Sequence, residues 1–203
     1  MIPYYKTMLG KRDVLTKRLN VDRLDMPVDV IRAEEGLVVN HEYLNLVGYF
    51  TWEDFRLAYD SEKKIIEYAD KNSKTAKEFE QVIGELVDQE KFDVENLSNH
   101  EVGIASLIFA LSAFCCAPIS GCRAHPGGYY SSSPSVGLYA PKRKAKTLLR
   151  IAQYSTVGIV NNDNMDAAGG IEIYAHTVTD LMQYAHNLFV SQNPSAKNNK
   201  LIK

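Results

Sequence analysis

The sequence predicts an α+β protein in which a helical N-terminal half, with a buried central helix, packs on a small C-terminal β-α-β-β-α sheet layer. Three observations predict this class: capped amphipathic patterns after residue 51, a charge-free apolar run that begins at Val102, and a change of hydrophobic period near residue 136. With 203 residues and 45% hydrophobic content, the chain can bury a substantial core. We expect a single core that spans residues 51–190.

Residues 1–50 show little hydrophobic periodicity, because prolines and glycines such as Pro3 and Gly36 interrupt short apolar groups. We expect this segment to form an N-terminal arm with irregular strands. An imperfect alternation over residues 43–50 predicts the last of these strands, which leads into a turn before Thr51.

Three pairs of residues within 51–116 have the spacing of a helix-capping box, in which a Ser or Thr is followed three positions later by an acidic residue. The pairs are Thr51 with Asp54, Thr75 with Glu78, and Ser98 with Glu101. Amphipathic patterns follow the first two pairs, and an apolar segment follows the third. Each pair therefore predicts the start of a helix, and the first of these helices should end near Asp70.

The apolar segment from Val102 to Cys116 is hydrophobic on all sides. The charge-free run extends to Pro118 and contains 17 residues, fewer than the ~20 that are needed to cross a bilayer. A helix that is hydrophobic all round and too short for a membrane belongs in the centre of a protein core. We therefore predict a buried central helix, a loop over residues 117–135 and no membrane contact.

The hydrophobic period alternates between helix and strand values over residues 136–190. The predicted elements are a strand at 136–140, a helix from Pro141, strands at 156–160 and 171–175, and a helix that Thr177 and Asp180 cap. Within the last strand, Glu172 and His176 should face away from the core. Residues 191–203 are polar without periodicity, so we expect a disordered tail.

The charges of the chain are segregated along the sequence. Residues 1–20 carry a net charge of +4, residues 21–101 a net charge of −11, and residues 102–203 a net charge of +5. Such a distribution favours association of the acidic region with a basic surface. We interpret the chain as a non-enzymatic interaction protein, an accessory or regulatory subunit, whose acidic helical face contacts a basic protein partner. The predicted contact residues on this face are Glu80, Glu85 and Asp88.

A short basic cluster lies in the helix that Pro141 begins. It contains Lys142, Arg143 and Lys146, which predict a binding surface for anions. Nucleic acid is the less supported partner, because the acidic middle of the chain would repel it. Arg123 is a further candidate for anion binding, since it precedes two adjacent glycines.

An enzymatic alternative rests on the segment that contains all three cysteines. Cys122 could act as a nucleophile, because the neighbouring Arg123 or His125 would lower the pKa of its thiol. His125 or His176 would then act as the general base, and Glu172 or Asp166 would orient that base. This alternative is a hydrolase or nuclease. A structural turn with an ordinary cysteine is the favoured interpretation, because no flanking motif completes the site.

The spacing of Cys116, Cys122 and His125 also raises a zinc site. A fourth ligand is missing from the pattern, so we predict no metal. No phosphate-binding loop or dinucleotide fingerprint occurs in the sequence, so we predict no cofactor. Three cysteines, two of them adjacent, cannot form a paired disulfide framework, and the first residues lack the apolar stretch of a secretion signal. We expect a cytoplasmic protein; the oligomeric state is not predicted.

Overall fold

The computed structural model describes residues 14–25, 38–39, 42–43, 46–88, 92, 94–124, 133–162 and 169–194. In this part of the chain the helices are α1 (Trp52–Lys71), α2 (Ala76–Asp88), α3 (Ala105–Ala113), α4 (Lys142–Gln153) and α5 (Val178–Gln192). The strands are β1 (Lys17–Arg18), β2 (Val38–Val39), β3 (Glu42–Tyr43), β4 (Ala117–Cys122), β5 (Ser135–Tyr139), β6 (Val157–Asn162) and β7 (Gly170–Ala175). The α+β class is confirmed, and so are the helical N-terminal half and the C-terminal β-α-β-β-α order.

The strands form one mixed sheet in the order β1-β6-β7-β5-β4-β3-β2. β1 runs parallel to β6, and every other neighbouring pair is antiparallel. Val136, Ile173 and Ile159 lie directly opposite one another across three strands and are fully buried. Helices α3, α4 and α5 pack against this sheet and, through α5, against one another. The core therefore lies between the sheet and one helical layer.

Part of the segment expected to be an arm belongs to this sheet. β1 pairs with β6, and the Tyr174 hydroxyl accepts a hydrogen bond from the amide of Thr16 and donates one to the carbonyl of Val14. The Tyr174 ring covers Gly158 so closely that a Cβ there would lie 2.3 Å from it. Residues 14–18 are thus bound to the body of the protein through β6 and β7.

The segment expected to be a loop over residues 117–135 contains β4, so that prediction is wrong for its first six residues. Pro118 and Gly121 are the residues that suggested a loop. Proline is tolerated in a strand where the pairing is irregular, and the register between β4 and β5 shifts between Pro118 and Ser120. The strand expected over residues 43–50 is also shorter, because β3 ends at Tyr43 and residues 47–49 form a turn.

One of the three predicted capping boxes forms in full, that of Thr51 and Asp54. Thr75 caps α2, but the Glu78 carboxylate accepts from the amide of Lys74 and not from that of Thr75. The cap of α5 also forms. The side-chain oxygens of Thr51, Thr75 and Thr177 accept hydrogen bonds from the amides of Asp54, Glu78 and Asp180 at 3.1 to 3.2 Å. The box at Ser98 and Glu101 is wrong. Ser98 has a positive φ of 46°, and α3 begins only at Ala105.

Glu62 of α1 caps the central helix α3 in place of that box. Its carboxylate is fully buried and accepts hydrogen bonds from the amides of Gly103 and Ala105, both at 2.7 Å, and of Ser106 at 3.0 Å. Burial raises the pKa of Glu62, and the hydrogen bonds from these amides oppose the rise. The carboxylate therefore satisfies the amides that the first turn of a buried helix leaves unpaired.

Helix α3 is buried along its length, as its apolar composition predicts. Its C-terminal end is bound to the turn that precedes α1. The Ser112 hydroxyl donates to the carbonyl of Leu46 and accepts from the amide of Phe50 at 3.0 Å, while the Ser112 carbonyl accepts from the amide of Gly48 at 3.0 Å. No helix in the described ranges is long and apolar enough to cross a membrane. The expected disordered tail lies mostly outside the described residues, and α5 continues to Gln192.

We predict that Glu62→Ala lowers the free energy of unfolding by about 3–5 kcal/mol, because the buried amides of Gly103 and Ser106 lose their acceptor and that of Ala105 keeps only the carbonyl of Glu101. Glu62→Gln should cost less, since its amide oxygen can still accept from Gly103 and Ala105. Urea denaturation measures both losses. Glu67→Ala changes an exposed glutamate of the same helix and should cost less than about 0.5 kcal/mol. An equal loss in Glu62→Ala and Glu67→Ala would show that this cap is not stabilising.

Candidate functional site

Arg123, the first residue after β4, is held by two carboxylates. Its Nε and Nη2 atoms donate to the carboxylate of Glu80, with a shortest distance of 2.7 Å, and its Nη1 lies 3.5 Å from Oε1 of Glu101. The Arg123 amide also donates to Glu101 at 2.8 Å. All three side chains are at least four-fifths buried. We call this set of three residues the Arg123 clamp; it joins α2, the segment before α3, and the end of β4.

The clamp changes what two predicted binding residues do. Arg123 was expected to bind an anion, and Glu80 was expected to contact a basic partner, but each is bound to the other. The two residues are 43 positions apart, so their pairing is not visible in the sequence. Gly127 and Gly128, the glycines expected to assist Arg123, lie outside the described residues.

A pocket of about 470 Å³ lies beside the clamp. Its lining residues are Val87, Glu95, Leu97, Asn99, His100, Glu101, Val102 and Arg123. This volume is within the range of small-ligand sites. Asn99 in its wall and the preceding residue, Ser98, have positive φ angles of 61° and 46°, a backbone conformation that costs free energy outside glycine. The sequence interpretation missed this pocket, because its lining comes from α2, the segment before α3, and the end of β4.

His100 is the one imidazole among the described residues that line this pocket. Its ring packs edge-on against Phe50 and Phe109, and its Nδ1 lies 3.0 Å from the carbonyl oxygen of Leu97. Burial lowers the pKa of His100, so the ring is neutral at neutral pH. A neutral, packed ring contributes polarity to the pocket wall without adding positive charge.

Cys116 directly precedes β4, and Cys122 is the last residue of that strand. Six residue steps of about 3.3 Å separate their Cα atoms by up to about 20 Å, whereas two thiolates on one zinc ion must each lie about 2.3 Å from it. Burial also raises the pKa of Cys116 to about 12, which disfavours its thiolate. The alternative zinc site is therefore incompatible with the strand. Its third residue, His125, lies outside the described residues, within which no three His, Cys, Asp or Glu side chains could hold a metal.

The residues of the enzymatic alternative are not in contact where the structure describes them. Cys122 lies opposite Ser135, which lies opposite Tyr174; Glu172 is two residues further along β7. Two strand spacings and two residues separate the Cα atoms of Cys122 and Glu172 by about 12 Å. The Cys122 sulfur accepts a hydrogen bond from the Ala124 amide at 3.3 Å.

His176, the other predicted base, follows the end of β7. Its Nε2 atom is buried and makes no hydrogen bond within the part of the chain that the structure describes. The alternative base, His125, lies outside that part. Among the described residues, no histidine is hydrogen-bonded to Cys122.

The predicted acidic face is only partly available. Glu85 is exposed and accepts a hydrogen bond from Gln81 at 2.8 Å, whereas Glu80 belongs to the clamp. The side chain of Asp88 lies outside the described residues. Binding of a partner by Glu85 and Asp88 stays a prediction.

The predicted basic residues lie on α4. Lys142, Arg143 and Lys146 are all exposed, and the Lys142 amine donates to the carbonyl of Asp22 at 3.2 Å. Lys144 points elsewhere, because its amine donates to the carbonyl of Phe114 and lies 4.5 Å from the centre of that ring. Lys144 therefore has a structural role, and the exposed charges belong to the other face of α4.

We predict that Arg123→Ala lowers the free energy of unfolding by about 2–4 kcal/mol, because two largely buried carboxylates lose their cation. Arg123→Lys should recover only part of this loss, since an ammonium group cannot reproduce the two-nitrogen contact with Glu80. Arg56→Ala removes an exposed ion pair with Glu53 and should cost less than about 1 kcal/mol. Thermal and urea unfolding would contradict the clamp if Arg123→Ala behaved like Arg56→Ala.

We predict that iodoacetamide modifies the cysteines at neutral pH in the order Cys115, Cys122, Cys116. Cys115 is exposed, Cys122 is partly buried, and Cys116 is buried with a raised pKa. Peptide mass spectrometry measures the three rates, and the unfolded chain in guanidinium chloride provides the reference. Modification of Cys122 ahead of Cys115, and faster than in the unfolded chain, would support the enzymatic alternative.

The chain was compared with protein-family models, curated proteins and solved structures. No protein-family model matches the chain, and neither a curated protein nor a solved structure matches it. Function therefore has to be inferred from the contacts, cavities and charges of the chain itself.

Proposed function

We propose that this chain is a non-enzymatic interaction protein whose acidic region, residues 78–101, binds a basic protein partner. These 24 residues contain eight carboxylates and one lysine. The observation that carries the proposal is the pocket beside the Arg123 clamp, which lies within this region. In the proposed role, the protein acts as an accessory or regulatory subunit.

The Arg123 clamp is an internal precedent for this binding. The acidic region already binds one guanidinium group, that of Arg123, through the carboxylates of Glu80 and Glu101. Paired hydrogen bonds between arginine and carboxylate are geometrically specific as well as strong. A partner's arginine or lysine would use the carboxylates that the clamp leaves over, notably Glu85 and Glu95, which are exposed.

The pocket has the chemistry that a long basic side chain requires. Apolar side chains in its lining, those of Leu97 and Val102, suit the aliphatic stem of lysine or arginine. Oxygen acceptors in the lining, those of Glu95 and Asn99, suit the charged head group. We propose that one basic side chain of the partner enters this pocket and that surrounding charges steer its approach.

An enzymatic role in hydrolysis is the weaker proposal. Arg123 is already neutralised by two carboxylates, and Cys122 and Glu172 are about 12 Å apart along the sheet. Hydrolysis by a thiolate needs a base within hydrogen-bonding reach of the sulfur. No such base contacts Cys122 among the described residues.

We also propose that the protein functions in the cytoplasm. Cys115, Cys116 and Cys122 are free thiols, and Cys115 is exposed. Exposed free thiols persist in the reducing cytoplasm and are oxidised in secretory compartments. Reporter-tagged protein in fractionated cells would test this location.

The test of the proposed function is the binding of a fluorescent arginine-rich peptide to a charge-reversed protein. Glu85→Lys combined with Glu95→Lys should weaken binding about tenfold near 0.1 M salt, because two exposed attractive charges become repulsive. Fluorescence anisotropy measures the dissociation constants. Affinity of the natural chain should fall steeply as salt rises, since the contact is electrostatic.

The matched control is Asp60→Lys combined with Glu67→Lys. These exposed carboxylates lie on α1, outside the acidic region, and their reversal changes net charge by the same amount. The control should keep most of the affinity. Equal weakening in both double variants, or no binding by the natural chain, would contradict the proposed surface.

A further inference from the structure

Helix α4 presents a narrow stripe of exposed cations that ends in an exposed tyrosine. Arg143, Lys146, Arg150 and Tyr154 are spaced by three, four and four residues, so they lie on one face of the helix. The opposite face, which includes Leu148 and Ile151, is buried in the core. The stripe is about 16 Å long, since each helical residue adds about 1.5 Å.

The sequence around this stripe contains no negative charge. No aspartate or glutamate occurs between residues 102 and 162, a stretch that contains six basic residues. Within the described ranges, Arg143, Lys146 and Arg150 make no ion pair. Asp22 lies on a 3₁₀ helix, Val21–Arg23, that contacts α4. The Lys142 amine donates to the carbonyl of Asp22, so this helix lies at the end of α4 far from Tyr154. Three cations therefore face solvent without an ion-pair partner among the described residues.

The tyrosine end of the stripe is more positive still. Tyr154 is 88% exposed, so its ring makes almost no contact with the rest of the protein. Lys17 of β1 lies at the same end, because its amine donates to the carbonyl oxygens of Gln153 and Ser155 at 3.4 and 2.7 Å. An exposed aromatic ring beside several cations can stack on a planar group while the cations bind anions around it.

We propose that the stripe formed by Arg143, Lys146, Arg150 and Tyr154 binds single-stranded nucleic acid. The three cations contact successive phosphates, and the Tyr154 ring stacks on an unpaired base. At about 3.4 Å per stacked nucleotide, the stripe covers about five nucleotides. This surface is distinct from the acidic region 78–101 and does not depend on the function proposed for that region.

The side chains favour nucleic acid over a lipid surface. A helix that lies in a membrane interface inserts an apolar face into the lipid, but the apolar face of α4 is buried against the protein. Tyr154 is the one large hydrophobic residue exposed on or next to α4, and an aromatic ring suits base stacking. Duplex nucleic acid offers the phosphates but keeps its bases paired, so it should bind more weakly.

The experiment measures binding of a fluorescein-labelled thymidine oligonucleotide of about 20 residues by anisotropy between 50 and 200 mM salt. For the natural chain, the logarithm of the association constant should fall with the logarithm of salt with a slope of about −2, as three phosphate contacts on a single strand require. The triple variant Arg143→Ala, Lys146→Ala, Arg150→Ala should bind at least tenfold more weakly and lose most of this slope. Tyr154→Ala should weaken binding about fivefold at an unchanged slope, and Tyr154→Phe should not.

The matched control removes three lysines elsewhere, in Lys64→Ala, Lys74→Ala, Lys77→Ala. These residues are exposed on α1, in the turn after it, and on α2. The control should keep the natural affinity, and melting temperatures should show that all variants are folded. An equal loss of affinity in both triple variants would overturn the proposal. It would also be overturned if Tyr154→Ala did not change the affinity and a duplex bound as tightly as the single strand.

Two further measurements identify other occupants of the stripe. If the protein co-sediments with phosphatidylserine vesicles and does not bind the oligonucleotide, the stripe binds a lipid surface. Analytical ultracentrifugation would detect self-association. If self-association weakens with salt, is lost in the triple stripe variant and occurs without oligonucleotide binding, the stripe binds the acidic region of a second copy. Either result would overturn the proposal.

Discussion

The carboxylate of Glu62 is the contact on which the helical half of this protein depends. Helix α3 is surrounded by other elements, so water cannot reach the amides of its first turn. Glu62 accepts from two amides of that turn and from the amide of Gly103 just before it, and it belongs to α1, so the same contact fixes how α1 and α3 pack. At the other end of α3, Ser112 binds the turn at 46–50 that leads into α1. Polar groups at both ends of the buried helix are thus hydrogen-bonded to α1 or to the turn that precedes it.

Charge is arranged around this core in two regions of opposite sign. The acidic region 78–101 lies on α2 and the segment before α3, and the carboxylate-free stretch between residues 102 and 162 includes α4. Arg123 connects them, because it belongs to the carboxylate-free stretch and is bound by Glu80 and Glu101. Arg123 therefore joins elements of the fold, whereas the cations on the outer face of α4 face solvent. The proposed partners of the two regions therefore carry opposite charges.

The cysteine segment shows how a group of reactive residue types can serve a structural purpose. β4 occupies an interior position in the sheet, between β3 and β5. A strand separates its residues by about 3.3 Å each, so Cys116 and Cys122 cannot act together. Arg123 follows directly and is used to join β4 to α2. The residues from Ala117 to Arg123, which the sequence predicted to be a loop, therefore form strand β4 and part of the Arg123 clamp.

Local interactions in this protein could be predicted from the sequence, and long-range ones could not. The caps at Thr51, Thr75 and Thr177 join residues three positions apart, and the burial of α3 follows from its composition, so both are visible along the chain. The sequence by itself determined the fold class, the order of the helices and the charge segregation. Tertiary structure alone decided that Glu62 caps α3, that Glu80 binds Arg123, and that a pocket forms beside them, because each joins residues about 20 to 45 positions apart. It also decided that Pro118 lies within a strand, since an irregular register with β5 tolerates the missing amide hydrogen.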